Sequence, residues 1–266
     1  MSVQTLYTAA TGMEALETKL DVIANNMANI NTTGFKKDRA NFEDLFYRQN
    51  KLPGSIDADG NLTSTGVEVG LGTRVSSTQT NHGQGALQTT ENPLDLAIEG
   101  DGFFEVTTAN GEYYSRAGNF GINAEGNLVL GSAHTGWLLN PPINIPLDAV
   151  DIVVSSNGDV QYRTSGQTAL QSAGQIQLST FINPDGLLKL GDNLYQESAA
   201  SGTPNQDNPG NPGFGVLAQG ALEASNVEPV QELIDLITTQ RAFELNSQVV
   251  QAGDQIMQVA ANLRRG

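Results

Sequence analysis

The chain has 266 residues and a formal charge of −16, from 29 acidic and only 13 basic side chains. This balance argues against nucleic-acid binding, which needs clustered Lys and Arg to neutralise phosphates. The sequence contains no Cys, which excludes disulfides and thiolate metal sites. The length suits one large or two modest domains, and the 29 Gly residues indicate turn-rich β structure.

The N-terminal residues carry no pattern typical of secretion through a cleaved signal. The first ten lack a basic start followed by a long apolar run. No stretch reaches the length of a membrane span. We therefore expect neither a cleaved signal peptide nor a membrane-spanning segment.

The first predicted element is a helix from about residue 2 or 5 to residue 29. Gly12 in its interior costs about 1 kcal/mol relative to Ala, and a polar stop ends at Gly34, a residue that tolerates positive φ. Its apolar residues recur at spacings of three and four, which places them on one side of the helix. They are Leu6, Ala9, Met13, Leu16, Leu20, Ile23, Met27 and Ile30.

In the middle of the chain, apolar residues recur at every second position, and Gly-containing turns interrupt this pattern. The pattern predicts strands. The clearest hairpin places Val153 and Val154 before a turn at residues 156–159, and Val160 and Tyr162 after it. Two connectors are predicted, one at residues 47–72 and a Pro-containing one at residues 202–215. Further strands are predicted at Phe103–Val106, Tyr113–Arg116 and Gln175–Phe181.

The last predicted element is a long helix that ends near Leu263. Ser225 or Asn226 is the expected N-cap, and Pro229 suits the first turn because it needs no N–H there. A main apolar row contains Ala242, Leu245, Val249, Ala252, Ile256, Val259 and Leu263. A second row, Leu236, Phe243, Val250 and Met257, lies beside it, so the apolar face is wider than one partner helix needs.

These elements predict an α+β fold in which the terminal helices form a coiled-coil pair and carry an inserted, mostly antiparallel β domain. We expect three regions: a helical core (1–32 and 225–266), an extended connector region (33–75 and 203–224) and a β-rich outer domain (76–202). Two helices cannot cover both of their apolar faces, so the pair is expected to need neighbours. Packing of helices from many chains into a shared core would supply them.

Catalytic and metal-binding signals are weak. The two histidines, His82 and His134, are far apart and have no metal-ligand pattern around them. The run from Asp57 to Asn61 resembles a calcium loop only superficially, because Leu62 stands where the loop needs Gly. We expect no catalytic residues, no cofactor and no metal. An enzyme would instead require a pocket of convergent titratable groups.

Several separated segments resemble the bacterial flagellar rod and hook family, in the family's order and over nearly the whole chain. The first is Asn25-Asn26-Met27-Ala28-Asn29-Ile30-Asn31-Thr32-Thr33-Gly34-Phe35-Lys36, in which Met27 replaces the usual Leu. The others are residues 92–98, 100–104 and 114–120, then Ser225-Asn226-Val227 and Gln240-Arg241-Ala242-Phe243-Glu244.

The resemblance implies a structural subunit of the flagellar basal body that self-assembles helically. The chain is short, unlike the hook protein, and has a connector that proximal rod proteins generally lack, so it is most similar to the distal, straight part of the rod. The implied partners are other copies of the chain, the proximal rod proteins, the hook protein, the peptidoglycan-ring and outer-membrane-ring proteins, and the flagellar export apparatus. The implied location is the basal body in the periplasm, reached without signal cleavage.

Three groups of residues are predicted to act in assembly. The polymerisation interface contains Leu6, Met13, Leu16, Leu20, Ile23 and Met27 on the first helix, and Leu236, Phe243, Leu245, Val249, Val250, Ile256 and Met257 on the last. The family motif contributes Asn25, Asn26, Asn29, Gly34 and Phe35, whose amides either end the helix or also fix register between subunits. A rod-stiffening connector contains Leu52, Pro53, Ile56 and Leu62.

Other interpretations remain open from sequence alone. Within the family, the alternatives are a proximal rod subunit and a hook subunit. Outside it, the alternative is a secreted monomeric β-rich binding module, which would stay soluble and form no filaments at high concentration.

Overall fold

The computed structural model describes residues 3–54, 56, 62, 64–109, 111–132 and 135–263. Helix α1 spans Val3–Ala28 and helix α2 spans Pro229–Leu263, with strands between them, which confirms the predicted α+β fold. No helix in the described part of the chain is long and apolar enough to cross a membrane.

Twenty strands lie between the helices in the described residues. They are β1 Asp38–Asp44, β2 Tyr47–Lys51, β3 Val67–Gly70, β4 Thr73–Thr80, β5 Leu87–Thr89, β6 Leu96–Glu99, β7 Phe103–Thr108, β8 Gly111–Ser115, β9 Phe120–Ile122, β10 Leu128–Ser132, β11 Thr135–Leu139, β12 Ala149–Val154, β13 Asp159–Thr164, β14 Gln171–Gln175, β15 Leu178–Thr180, β16 Leu188–Gly191, β17 Leu194–Gln196, β18 Asn205–Asp207, β19 Val216–Gln219 and β20 Ala221–Glu223.

The chain divides into two compact units. Unit 1 contains residues 1–27, 38–79 and 228–266, and unit 2 contains residues 28–37 and 80–227. Unit 1 therefore holds both helices and unit 2 holds most of the strands. The three-region division drawn from the sequence stays a prediction, because compactness alone does not separate a connector from an outer domain.

In unit 1 the two helices pack antiparallel. Asn26, near the end of α1, bonds to Glu232 near the start of α2, with 3.3 Å between Nδ2 and Oε2. At the other end, a Cβ added to Gly253 would lie 2.6 Å from Cδ2 of Leu6. Between them, a Cβ on Gly12 would lie 3.2 Å from Nδ2 of Asn246. Gly12 thus sits at a close helix approach, which accounts for a residue that otherwise weakens a helix.

The apolar row of α1 faces inward as predicted, with Ala9 and Ile23 buried and the rest half-buried. The main row of α2, by contrast, does not lie along α1. Leu245, Val249 and Ile256 are exposed, and the side of α2 that meets α1 carries Glu232, Thr239, Asn246 and Gly253 at every seventh position. Heptad spacing identifies an apolar side of a helix, but not which neighbour covers it.

The strands of unit 1 form two small pairs, β1 with β4 and β2 with β3. Strands β2 and β3 are antiparallel, with Tyr47 opposite Gly70 and Lys51 opposite Val67. The region predicted as an extended connector at residues 47–72 is therefore a two-stranded ribbon. Beyond the paired strands lie Leu52, Pro53, Ile56 and Leu62, which we call the ribbon tip. The calcium-like sequence at residues 57–61 lies outside the described residues.

Unit 2 is organised around a nine-stranded sheet in the order β16-β17-β8-β7-β11-β10-β9, with β15 joining β7 to β18. Strand β7 has apolar side chains on both faces because both are covered. Phe104 and Val106 enter the main core with Leu96, Ile98 and Leu178, among others. Phe103 packs in a separate cluster with Tyr114, Leu187 and Tyr195.

Local predictions in unit 2 have mixed outcomes. The hairpin is confirmed, since β12 and β13 pair with Val154 opposite Val160. The single strand predicted at Gln175–Phe181 is wrong, because residues 176 and 177 separate β14 from β15 and the two strands join different sheets.

Helix α2 begins two or three residues later than the predicted N-caps allow. The helix starts at Pro229, so the first-turn position of that proline is confirmed, but Ser225 and Asn226 precede the helix rather than cap it. The Asn226 side chain instead bonds to backbone of residues 37, 81 and 83.

Gly34 offers a test of this fold. Its φ is +68°, and a Cβ there would lie 2.7 Å from the backbone carbon of Arg116 and 2.8 Å from the nitrogen of Ala117. Gly34→Ala should therefore lower the free energy of unfolding in urea by about 2 kcal/mol or more, since left-handed backbone alone costs a side chain about 1–2 kcal/mol. Gly166→Ala is the matched control, since its φ is +90° with no atom within 4 Å of the added Cβ. Equal losses in the two variants would contradict the close backbone approach.

Candidate functional site

The first candidate site is an uncovered apolar strip on α2, which we call the outer row. It consists of Leu245, Val249, Ile256 and Val259, whose exposed fractions are 62%, 41%, 44% and 59%. At 100° per residue, Leu245 and Val259 lie about 100–120° around the helix from the line through Asn246 and Gly253 that faces α1, and Val249 and Ile256 lie about 40–60° from it. Helix α1 leaves all four side chains exposed.

The side of α2 that faces α1 is polar or small along its centre. Glu232 is 6% exposed and Thr239 2%, and Oγ1 of Thr239 donates to the backbone oxygen of Asp235 at 2.6 Å. The bond of Thr239 lies within α2, but the buried bond between Asn26 and Glu232 joins the two helices, and a slip in register would leave both groups unbonded. The pairing of α1 with α2 is thus specified by the Asn26–Glu232 bond at one end and by the close approach at Gly253 at the other.

The structure locates every predicted interface residue of the helices. On α1, Ile23 is buried, and Leu6, Met13, Leu16, Leu20 and Met27 are half-buried. On α2, Leu236 and Val250 are half-buried, and Phe243 and Met257 are 36% and 38% exposed beside the α1-facing side. Their role in polymerisation stays a prediction, and the outer row is the part with the most surface left to bury.

Asn26 of the family motif is used within the chain. Its Nδ2 donates to the backbone oxygen of Asp38 and its Oδ1 accepts from the Asp38 nitrogen, both at 2.9 Å. With the bond to Glu232, both polar ends of this 2%-exposed amide are satisfied inside unit 1. Asn25 is exposed, and Asn29 accepts from Oγ1 of Thr32 at 3.1 Å just after α1. A role of these amides in fixing register between subunits stays a prediction, and for Asn26 the geometry favours an intrachain role.

The second candidate site is a buried group in unit 2 that we call the junction cluster, formed by Lys36, Arg116 and Glu223. The half-buried Asn226 lies beside it, since its Nδ2 and the Lys36 ammonium both donate to the backbone oxygen of Gly83. The Lys36 ammonium donates to Oε1 of Glu223 at 2.5 Å, and both side chains are fully buried. Oε2 of Glu223 lies 3.5 Å from Nη1 of Arg116. The backbone adds a bond from the Gly34 nitrogen to the Glu223 oxygen at 2.8 Å. Residues that precede and follow the β-rich middle are thus fastened together.

Sequence reasoning missed this cluster. Lys36, Arg116 and Asn226 all belong to segments that carry the family resemblance, but no local signal pairs Lys36 with a carboxylate 187 residues away. Phe35 is half-buried beneath the Lys189 ammonium, 5.3 Å from its ring centre. The last part of the motif, from Gly34 to Lys36, therefore makes its contacts inside unit 2.

Burial governs the charges in this region. It lowers the pKa of the Lys36 ammonium, although Glu223 raises it in opposition, and it lowers the pKa of the Arg116 guanidinium. Two cations share one buried carboxylate, so Glu223 is the group whose removal leaves the most uncompensated charge.

Titratable groups elsewhere form no metal site among the described residues. His134 lies outside the described residues. His82 is half-buried against Phe103 and Tyr195, with ring centres 5.8 Å apart in each pair.

The residues predicted to stiffen the rod are exposed on and beyond the ribbon. Leu52, Ile56 and Leu62 are 58%, 69% and 74% exposed, and Pro53 is exposed too. Ile56 and Leu62 pair through an isolated antiparallel bridge. A two-stranded ribbon with exposed apolar side chains is marginally stable by itself and gains from a covering surface.

Comparison with known proteins gives three family matches in chain order. Residues 6–36 match the model described as flagella basal body rod protein. Residues 97–162 match the flagellar hook protein FlgE/F/G D1 domain, and residues 218–263 match the flagellar basal body rod FlgEFG protein C-terminal model. These are the two helices and the centre of unit 2.

Full-length relatives decide the family. The flagellar basal-body rod protein FlgG of Caulobacter vibrioides is 47% identical over 263 residues, covering 98% of this chain and 99% of its own length. The protein of the same name from Agrobacterium fabrum is 44% identical, with 96% and 97% covered. The chain belongs to the FlgG family of flagellar basal-body rod proteins. The flagellar hook protein FlgE of Treponema pallidum, by contrast, is 43% identical over 51% of this chain and only 30% of its own length.

The junction cluster predicts an order of stability. Glu223→Gln should cost about 3–5 kcal/mol of unfolding free energy, because it leaves Lys36 and Arg116 buried without a counter-ion. Lys36→Met should cost clearly less, since Arg116 still balances Glu223. Urea unfolding of both variants measures the difference. A larger loss for Lys36→Met would contradict the charge balance.

His82 predicts a pH dependence. Burial lowers its pKa to about 4, helped by the charges of Lys36, Lys189 and Arg116, while Asp185 raises it in opposition. The unfolded chain, with a histidine pKa near 6.5, therefore binds more protons between about pH 4 and 6.5. Stability present at pH 7 should fall as the pH drops through this window, by about 2 kcal/mol at pH 5 from this residue.

The measurement is urea unfolding at pH 7 and pH 5 for the protein and for His82→Gln. The variant lacks the titrating group, so its free energy of unfolding should fall by about 2 kcal/mol less between pH 7 and pH 5 than that of the unchanged protein. Identical losses would show that His82 titrates normally in the folded protein.

Proposed function

We propose that this protein is a structural subunit of the distal rod, the straight drive shaft that transmits torque from the flagellar motor to the hook. The observation that carries the proposal is the outer row of α2, which its own chain leaves exposed. Its full-length similarity to flagellar basal-body rod proteins supports the same conclusion.

Assembly would bury the outer row against helices of neighbouring copies. A fully buried Val, Leu or Ile side chain contributes about 1.5–3 kcal/mol, so four side chains that are roughly half exposed supply on the order of 3–6 kcal/mol per subunit. The translational and rotational freedom that two molecules lose on association costs a comparable free energy. One contact is therefore weak, and a helical tube in which each subunit meets several others is stable.

The proposed setting follows from the family. The rod would join the proximal rod proteins at one end and the hook protein at the other, and turn inside the peptidoglycan-ring and outer-membrane-ring proteins. The subunit would reach the periplasm through the flagellar export apparatus without cleavage of a signal. The role is mechanical, with no catalytic step, cofactor or metal.

A charge on the outer row should block assembly without unfolding the chain. Leu245→Glu and Val249→Glu each place a carboxylate in the proposed interface, where burial without a partner is costly. We expect at least a tenfold higher critical concentration for polymerisation, measured by sedimentation, with an unchanged urea midpoint. Gln251→Glu is the control, because Gln251 is exposed on another side of α2.

If the Leu245→Glu protein polymerised as readily as the control, the outer row would not be the interface. A wild-type chain that stayed monomeric at high concentration would instead favour a secreted binding module.

We also propose that the ribbon tip stiffens the rod by bridging adjacent subunits. The exposed side chains of Leu52, Ile56 and Leu62 would be its anchors, since a flexible linker does not need apolar groups. The paired strands β2 and β3 give the tip a fixed base.

Deleting residues 52–66 tests the bridge. Rods of the shortened protein should still form, because the helices are intact, but electron microscopy should show them curved or bent. A deletion of residues 166–169 between β13 and β14, in unit 2, serves as a control for a shortened loop. Rods of unchanged straightness after the ribbon deletion would contradict the proposal.

A further inference from the structure

The first turns of α2 carry a second exposed apolar surface, which we call the N-end patch. Its members follow the first one at spacings of three, four and seven residues, which places them on one side of the helix. The outer row begins further along α2 and includes none of them. The N-end patch consists of Val230, Leu233, Ile234 and Ile237, whose exposed fractions are 71%, 46%, 49% and 50%.

Helix α1 does not cover the N-end patch. At 100° per residue, its side chains lie about 100–155° around α2 from the line through Glu232 and Thr239 that faces α1. The exposed ion pair of Arg241 and Glu244, 2.9 Å between Nη1 and Oε2, separates the patch from the outer row. Helix α2 thus has two apolar surfaces, one toward each end, that its own chain leaves exposed.

A subunit that polymerises needs two different surfaces that fit each other. A surface that meets its own copy across a two-fold axis closes as a dimer, whereas a contact between two different surfaces continues from copy to copy. The outer row supplies one of the two surfaces. This step rests on the proposed function, in which the outer row is an assembly contact.

Helix α1 offers no apolar counter-surface for the outer row. Between residues 4 and 28, Tyr7 is the only large apolar side chain of α1 that is exposed. The exposed side also carries Glu14, Glu17 and Asp21. Packing aliphatic side chains over these carboxylates would remove water from the charges without pairing them, which is costly.

The two apolar surfaces of α2 are free of charge. Asp254 is the only charged residue between 245 and 259, and it lies on the side of the helix opposite to the outer row. Near the N-end patch, Glu232 is buried in its bond to α1, and Asp235 lies about 150° around the helix from the patch. These surfaces can therefore bury each other without leaving a charge unpaired.

We propose that the N-end patch of one copy binds the outer row of the next copy. The centres of the two surfaces lie about 28 Å apart along α2, at 1.5 Å per residue. Copies in a helical polymer all point the same way, so the contact requires a shift of about 28 Å between neighbouring α2 helices. The surfaces face directions less than 180° apart around α2, which curves successive helices into a tube instead of a flat row.

Cross-linking in assembled rods tests the proposal, since the sequence contains no Cys. Treatment of the double variant Ile234→Cys/Val249→Cys with a short bifunctional maleimide should give a ladder of dimers, trimers and larger products. The two thiols of one copy are about 22 Å apart along α2, too far for such a reagent to join them.

The matched control is Ile234→Cys/Gln251→Cys. Gln251 is exposed at nearly the same height as Val249 but on another side of α2, so this control should give at least tenfold less ladder. Each single-cysteine variant should give no dimers, because the proposed contact brings two different positions together.

Dimers from Val249→Cys alone would show that the outer row meets itself. That result, or the lack of a ladder in sedimented rods of the double variant, overturns this contact and leaves rod assembly standing. If the unchanged protein forms no rods, the contact and the proposed function both fall. If the cysteine variants do not assemble, image reconstruction of unchanged rods decides. A shift of about 28 Å between contacting α2 helices supports the contact, and another neighbour on the N-end patch overturns it.

Discussion

Helix α2 carries apolar side chains on a face that is wider than a single partner helix can cover. Helix α1 packs along the line of Glu232, Thr239, Asn246 and Gly253, whose polar and small groups fix alignment but bury little apolar surface. The outer row is left facing water. A chain built in this way gains apolar burial by meeting copies of itself, which is the property a polymerising subunit needs.

The junction cluster joins segments of unit 2 that lie far apart in the sequence. Lys36 follows α1, Glu223 precedes α2 and Arg116 comes from the middle of unit 2, yet their side chains share one buried network. A buried carboxylate that pairs with two cations tolerates few rearrangements. Breaking either ion pair would leave a buried charge with neither a partner nor water around it. Inside unit 2, the cluster fastens the segments that run toward the two helices.

The sequence predicted features that depend on neighbours close in the chain. The extent of α1, Pro229 in the first turn of α2, the positive φ of Gly34 and the hairpin at Val154 and Val160 are all local, and all are confirmed. The direction of the apolar rows of α2 could not be predicted, since spacing gives a side of a helix and not its partner. The ion pair of Lys36 and Glu223 joins residues too distant for any local pattern to reveal. Asn226 shows the same limit, because a residue typical of helix caps is used for a tertiary contact.

The absence of cysteine from the sequence makes a single introduced thiol a direct probe of the outer row. Reactivity of Val249→Cys toward a maleimide, measured in dilute monomer and in assembled rods, tests burial of this surface on polymerisation. The thiol should react rapidly in the monomer and at least a hundredfold more slowly in the rod. Equal reactivity in both states would contradict assembly through this face of α2.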